Sequence, residues 1–409
     1  ATVTEIEEKI TNLKKAKEEL KSSTVVQAGI NVEKVNRLPS DFIGGVDISS
    51  YRVLKDSGVK YYNFAGYELD DAGFFKLLKD SGINYVRIRV WNDPYDASGN
   101  GYGGGNNDLE KAVDMGKLAT DAGMRVLIDF HYSDFWADPA KQQAPKAWKD
   151  MTIEQKTAAV KAYTMNSLNT LLAAGVDVGM VQVGNETNNG IAGESNLKNA
   201  NTTAIFRAGC EAIQQVEKER NREIKAVVHF ANPEKQNYMT YADELDKAGV
   251  EYDVFASSYY PYWHGTLANL QTQLDTIATT YNKEVMVAET SWATSLEDSD
   301  GHVNTVREGN NDAGMDYDFS LYGQAKELRE VINAVAEMDK GIGVFYWEPA
   351  WIPVKVYDEN AENAANVLEG NKAAWEKYGS GWAASYAKEY DPEDAGKWYG
   401  GSAIDNQAL

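Results

Sequence analysis

An eight-stranded α/β barrel, a (β/α)8 TIM barrel, is the fold this sequence predicts, and three observations predict it. Short apolar runs alternate with segments of helical period over most of the 409 residues. Several of the helical segments end at a glycine just before the next apolar run, as at Gly82, Gly123 and Gly175, which suits a left-handed cap. Polar residues collect where the apolar runs stop, and in a parallel barrel those strand ends converge on one face.

The elements follow in order. The opening segment, ATVTEIEEKITNLKKAKEELKSS, places Ile6, Ile10, Leu13 and Leu20 on one face of a Lys/Glu-rich background, which predicts an added N-terminal helix over 3–21. Residues 1–35 read as a helical extension or linker, and 36–409 as the barrel domain. The apolar runs are FIGGVDIS (42–49), YVRIRVW (85–91), RVLIDFH (125–131), MVQVGNE (180–186), KAVVHFA (225–231), VFASSYYP (254–261), EVMVAETS (284–291) and GVFYWEP (343–349). Between them lie helical patterns such as DLEKAVDMGKLATDAG and LYGQAKELREVINAVAEM. Eight runs, each but the last followed by a helical pattern, favour a closed barrel over a doubly wound sheet. The remainder, rich in Trp, Tyr and Gly, reads as an extended loop-rich C-terminal segment closing the barrel.

Composition narrows the partners. Forty Lys and Arg stand against 62 Asp and Glu, a formal net charge of −22. Such a surface repels nucleic-acid backbones and anionic lipid, so a neutral ligand is expected and nucleic acid is not. The single cysteine, Cys210, excludes an internal disulfide and a multi-thiolate metal site, and FRAGCEAI places it on the apolar face of a helix. No run reaches the roughly eighteen apolar residues of a membrane span, and no leader pattern stands at Ala1. That fits a cytosolic protein or a mature secreted one.

The strand ends bring together Asp47, Arg89 with Trp91, Asp129 with His131, Asn185 with Glu186, His229, Tyr259 with Tyr260, Glu289 with Trp292, and Trp347 with Glu348. Glu186 and Glu289 each end an otherwise apolar run, on the fourth and seventh strands, which face each other across a barrel mouth. Two such carboxylates can divide into a protonated acid and an ionised nucleophile, the division glycoside cleavage needs, and a separation of roughly 5–5.5 Å would give retention of configuration. Structural ion pairs, such as Glu289 with Arg89, are the plain alternative. Ten Trp and 24 Tyr, many in loops such as FWAD, YYPYWHG, EPAWIP and GSGWAASY, suit sugar rings, although aromatic residues also fill cores.

Two further motifs need weighing. GNGYGGGNND (99–108) precedes a helix but lacks the Lys-Ser/Thr ending of a phosphate loop, so it reads as a mobile loop at the barrel mouth. In DSDGHVN (298–304), Asp298, Asp300, His302 and Asn304 alternate. The spacing fits either an oxygen-lined calcium loop or a solvated acidic loop, and it lacks the Gly and Glu of an EF-hand.

The stretches GGVDISS, NYVRIRVWNDPYD, DFHYSDFWADPAKQQAPKAW, VQVGNET, DVFASSYYPYWHGTL, VMVAETS and GVFYWEPAWIP resemble the bacterial arabinogalactan endo-β-1,4-galactanases of glycoside hydrolase family 53, in order, from about Asn36 to the C-terminus. The resemblance implies a retaining endo-hydrolase of the β-1,4-galactosidic bonds of type I arabinogalactan in plant pectin. Glu186 matches the acid/base and Glu289 the nucleophile. The implied substrate-binding set is Arg89, Trp91, His131, Asp134, Asn185, Tyr259, Tyr260, His264 and Trp347, with the tyrosine that meets the nucleophile left open between Tyr259 and Tyr260. It implies structural calcium held by Asp298, Asp300, His302 and Asn304, with Ser402 and Asp405 completing the site. It also implies a monomer, secreted or at the cell surface, acting on plant cell-wall galactan. A related β-mannanase or β-glucanase, and a non-catalytic glycan-binding barrel, are the alternatives. TVREGNNDAGMDYDF (305–319) and the N-terminal helix depart from the family pattern.

Overall fold

The computed structural model describes residues 9–12, 14, 29–36, 38–307, 317–393, 395, 400–402 and 404–409. Of the helix expected at 3–21, residues 9–12 and 14 are described and are helical, and the rest lies outside the described residues.

Among the described residues, eight parallel strands close into a barrel. They are β1 (Ile43–Asp47), β2 (Tyr85–Val90), β3 (Arg125–Phe130), β4 (Val178–Val183), β5 (Lys225–Phe230), β6 (Val254–Ser258), β7 (Glu284–Thr290) and β8 (Gly341–Trp347). Each pairs with its neighbours in sequence, and β8 returns to β1. All eight lie within two residues of an apolar run's start, and several stop short of its end, so Asn185, Glu186 and Glu348 stand just beyond their strands.

Helices cover the outside: α1 (Tyr51–Asp56) and α2 (Asp71–Asp80) after β1, α3 (Leu109–Asp121), α4 (Ile153–Ala173), α5 (Ala200–Arg220), α6 (Tyr238–Lys247), α7 (Leu267–Tyr281) and α8 (Leu321–Glu337). A further helix, α9 (Ala364–Tyr378), follows β8 and corrects the expectation that the last strand has none; the sixteen or so loop residues between them hid the pairing. Short polar side chains satisfy the first free N–H groups of several helices: Asp70 for α2, Asp108 for α3, Thr152 with Gln155 for α4 and Ser320 for α8. Gly82, Gly123 and Gly175 all adopt positive φ, as the sequence predicts.

The strands are buried on both faces, with alternate residues facing two separate cores. Val86, Ile88 and Val90 pack under the helices, whereas Tyr85, Leu127, Met180, Val227, Val254, Met286 and Phe345 fill the lumen. Gly45 makes room there, since a Cβ at that position would overlap the Phe345 ring. Toward the C-terminal ends the lumen turns polar, with Arg87, Asp129, Gln182 and His229 each at most 1% exposed.

One irregularity positions the chemistry. On β7, Val287 and Glu289 pair with consecutive residues of β6, Ser257 and Ser258. Val287 and Thr290 likewise pair with Val344 and Tyr346 of β8. Both neighbours therefore see one extra residue in β7, a bulge at Ala288. Without it Glu289 would share the outward face of Val285 and Val287; the extra residue turns it into the barrel mouth.

Candidate active site

A cavity of about 210 Å³ opens at the C-terminal end of the barrel, with Glu186 and Glu289 on its wall. Glu289 is 6% exposed. Its Oε1 lies 2.8 Å from Nη1 of Arg87, and its Oε2 accepts the Tyr260 hydroxyl at 2.9 Å. Tyr260 is thus the tyrosine that meets Glu289. Tyr259 points its hydroxyl to the Gly265 carbonyl instead.

Arg87, not Arg89, meets Glu289. The sequence expectation took the residue nearest the strand end, but alternation along YVRIRV sends both arginines inward at different depths. Arg87 also donates to Asp47 at 2.8 Å, Asp129 at 2.9 Å and Asn185 at 2.8 Å. Surrounded by carboxylates, its guanidinium holds its proton more firmly than usual despite burial. Arg89 pairs with Glu348, donates to the Gly104 carbonyl and lies over the Trp136 ring at 4.4 Å. It braces an aromatic wall rather than Glu289.

Glu186 has a different setting. It is half-buried, sits just past β4 at φ +46°, and its main-chain N–H points at His229 Nδ1 at 3.3 Å. Burial raises its proton affinity well above the ordinary carboxylate value, and the charge of Glu289 adds to this, while Ser258 and Arg87 pull the other way. Burial raises Glu289 too, but Arg87 and Tyr260 oppose it, so the rise there is smaller. The two settings therefore differ: proton affinity rises more at Glu186, while Glu289 is paired at 2.8 Å with a guanidinium.

His131 accepts from Trp91 Nε1 at 3.0 Å and the Ala137 N–H at 3.1 Å through Nδ1, which leaves Nε2–H for Asp129 at 3.1 Å. Asn185 donates to the Ala137 carbonyl at 2.8 Å. Trp136, Trp263, Trp347 and Trp382 form the aromatic wall, with Trp136 and Trp382 stacked at 4.2 Å and 9°.

Of the residues expected to bind substrate, Arg89, His131, Asn185, Tyr260 and Trp347 line the cavity. Four others stand behind it. Trp91 buttresses His131, Asp134 takes the N–H groups of Asp93 and Lys146, His264 accepts the Tyr260 N–H, and Tyr259 points away. The sequence reading missed Arg87 and did not single out Trp136, Trp263 and Trp382 from their aromatic loops. The glycine-rich stretch is a packed part of this wall and not the mobile loop expected. Residues 102–107 are buried, and a Cβ on Gly104 (φ +59°) would come within 2.6 Å of Trp91 and 2.9 Å of Trp136.

The residues expected from the sequence to hold calcium also gather. Asp300 accepts the N–H groups of Ser402 at 2.8 Å and His302 at 2.7 Å, Asp405 that of Asp300 at 3.1 Å, and Asp298 that of Asn304 at 2.9 Å. Asn304 Oδ1 accepts the Asp405 N–H at 2.6 Å. Residues 308–316 of the departing segment 305–319 lie outside the described residues, and Thr305 lines the cavity. No described helix is long and apolar enough to cross a membrane.

Comparison with known proteins agrees with this geometry. The family model described as Glycosyl hydrolase family 53 matches residues 43–409. An endo-β-1,4-galactanase of Bacillus subtilis (strain 168) is 53% identical over 92% of this chain and 84% of its own length. An arabinogalactan endo-β-1,4-galactanase of Humicola insolens is 34% identical over 75% of this chain and 89% of its own. Among solved structures, a family 53 catalytic domain from Ignisphaera aggregans superposes with a TM-score of 0.78 at 36% identity, covering 93% of this chain and 94% of that one. The match spans the barrel and both glutamates: the chain belongs to glycoside hydrolase family 53.

Proposed function

We propose that this glycoside hydrolase is an endo-β-1,4-galactanase that cleaves pectic galactan with retention, Glu186 acting as acid/base and Glu289 as nucleophile. The observation that carries the reading is the contrast between the two carboxyls in one aromatic-walled cavity. Glu289, charge-paired to Arg87, attacks the anomeric carbon, and the bond to the leaving oxygen breaks as Glu186 delivers its proton there. Glu186, now ionised, takes a proton from water, whose oxygen displaces Glu289 and releases the sugar. Asn185 has a second amide hydrogen to offer the hydroxyl beside the reacting carbon. His131 and Arg89 keep the floor and wall rigid, and the tryptophans cover the apolar faces of the sugar rings. The galactan assignment draws on the named activities of the relatives, and a polymeric wall substrate places the enzyme's work outside the cell.

The reading is tested by incubating the enzyme with pectic galactan, β-mannan and β-glucan. Galacto-oligosaccharides from the first alone support it, and turnover of mannan or glucan in preference overturns it. Glu289→Ala should lose essentially all turnover of galactan while still binding it.

We also propose that the 298–304 loop and the 402–405 tail hold a calcium ion. The donors fit: three carboxylates, an amide and a hydroxyl are hard oxygen ligands, and His302 would serve only through its main-chain oxygen. Asp405 Oδ1 is buried with no hydrogen-bond partner, and burial beside like charge raises Asp300 to about 6 and Asp405 to about 8. A divalent cation relieves both. Among the described residues no three acidic, histidine or cysteine groups already converge as a metal cluster, because main-chain N–H groups span the carboxylates instead.

A further inference from the structure

We propose that Gln182 is a positioning residue for the reaction centre. Its side-chain amide holds the Asn185 amide toward the sugar hydroxyl beside the reacting carbon and the Arg87 guanidinium toward Glu289. This rests on reading Glu289 as the nucleophile and Asn185 as the donor to that hydroxyl.

Gln182 lies on β4, fully buried, and is not among the residues that line the cavity. Its two ends are assigned by partners that cannot exchange roles. Arg87 can only donate, so Oε1 is the atom that meets its Nε at 3.3 Å and its Nη2 at 3.2 Å. The Asp129 carboxylate and the Gly184 carbonyl can only accept here, so Nε2 is the atom 2.6 Å from Asp129 Oδ1 and 3.0 Å from the Gly184 oxygen. Arg87 offers five N–H groups. Nη1 serves Asp47 and Glu289, Nη2 serves Asp129 and Asn185, and among the described residues Nε has Gln182 alone. The guanidinium is planar, so a partner held at Nε sets the plane in which Nη1 reaches Glu289.

Asn185 depends on the other end of the same amide. Its Oδ1 takes Arg87 Nη2 at 2.8 Å, and its Nδ2 gives one hydrogen to the Ala137 carbonyl at 2.8 Å, which leaves the second for the cavity. That Oδ1 also lies 3.1 Å from His229 Nδ1. The ring nitrogen carries no hydrogen, because the Glu186 main-chain N–H at 3.3 Å and Gln182 Nε2 at 3.0 Å both point at it, and both only donate. Two bare acceptors so close repel each other. Gln182 Nε2, 3.2 Å from Asn185 Oδ1, places a hydrogen between them. Its two hydrogens thus serve four acceptors through shared bonds. One of the four is the carbonyl of Gly184, at φ +81°, whose peptide leads directly into Asn185. Without Gln182 the buried oxygen and the ring nitrogen face each other unbridged, and turning the Asn185 amide is the relief at hand. The turn takes its free hydrogen off the sugar.

The test measures kcat and KM for the wild type, Gln182→Met and Asn185→Ala on two aryl β-galactobiosides. One is intact, and the other lacks the 2-hydroxyl of the ring that carries the aryl group. Gln182→Met keeps the length of the side chain and removes its hydrogen bonds. On the intact substrate it should lower kcat about a hundredfold, with KM changed far less because the aromatic wall is untouched. On the 2-deoxy substrate, where Asn185 has nothing to hold, the loss should shrink to about tenfold, the part that passes through Arg87. Equal losses on the two substrates, or none on either, overturn the proposal, since a residue that only stabilises the fold cannot sense the 2-hydroxyl. Should Gln182→Met fail to fold, Gln182→Glu serves instead. Its outer oxygen must hold a proton to sit 2.6 Å from Asp129, so its kcat/KM relative to the wild type should climb as pH falls, and a ratio independent of pH is contrary. Asn185→Ala is the separate check. An equal loss on both substrates there overturns the reading of Asn185 on which the proposal rests. Discrimination by Asn185→Ala without discrimination by Gln182→Met overturns the proposal alone.

Discussion

Replacing Arg87 with methionine removes the one cation that Asp47, Asp129 and Glu289 share in the barrel lumen. The arginine is 1% exposed, so solvent screens these contacts poorly. At 2.8 Å, the Arg87–Glu289 attraction is about 6 kcal/mol for an effective dielectric near 20, an upper bound because water enters the space methionine leaves. Carboxylates beside an arginine are commonly lowered by about 1–3 pKa units, so Glu289 should rise by about that amount when Arg87 goes. In the proposed mechanism Glu289 attacks as an anion, so its titration sets the acid limb of kcat/KM. In Arg87→Met that limb should move up by about 1–3 pH units. Losing one partner of a buried charge network should also lower stability by about 3–5 kcal/mol, read from urea unfolding. Arg87→Lys keeps the charge without the forked geometry and should fall between the two. An acid limb unmoved in a folded Arg87→Met enzyme refutes the assignment of Arg87 as the group that keeps Glu289 ionised.

Other outcomes are equally specific. Burial raises the Glu327 carboxyl from 4.5 to about 8, and among the described residues only the Thr290 hydroxyl bonds to it, at 2.6 Å. The folded chain therefore keeps a proton that the unfolded chain releases, and this stability is full below pH 4.5 and lost as pH rises to about 8. The loss is on the order of 5 kcal/mol, and Glu327→Gln should flatten the fall in melting temperature over that window. Gly104→Ala, at positive φ against two tryptophans, should cost about 1–3 kcal/mol and weaken galactan binding, seen by calorimetry. Chelation should lower the melting temperature and added calcium restore it; no change after exhaustive chelation removes the calcium proposal.

The sequence displays this fold because each strand is a compact apolar run and each helix has its own period and cap. Strand ends were equally legible, which is how Glu186, Glu289, His131, Asn185 and Trp347 could be named. Depth within the barrel was not. Arg87 and Arg89 share a face in YVRIRV, and only the closed lumen shows that the deeper one meets Glu289. The bulge at Ala288 is invisible in VMVAET, where every residue before the glutamate is apolar, yet it decides which way Glu289 faces. Adjacent Tyr259 and Tyr260 point oppositely for the reason any two neighbours on extended chain do, and nothing in YYPYWHG says which is inward. Asp134, Trp91 and His264 look functional because they are polar or aromatic beside reacting residues. The partners of Asp134 and Trp91 come from other segments of the chain, and His264 turns back onto the Tyr260 N–H of its own loop. The glycine-rich stretch misled through composition: its glycines serve close packing against Trp91 and Trp136, not freedom of movement.

The central claim is that Glu289 forms a bond to the sugar after Glu186 protonates the leaving oxygen. Proton NMR of the first product released from pectic galactan, taken before mutarotation, tests it most directly. A β-configured reducing end appearing first, decaying later to the anomeric mixture, is what the account predicts. An α-configured first product would contradict it, since a single displacement by water needs no covalent partner.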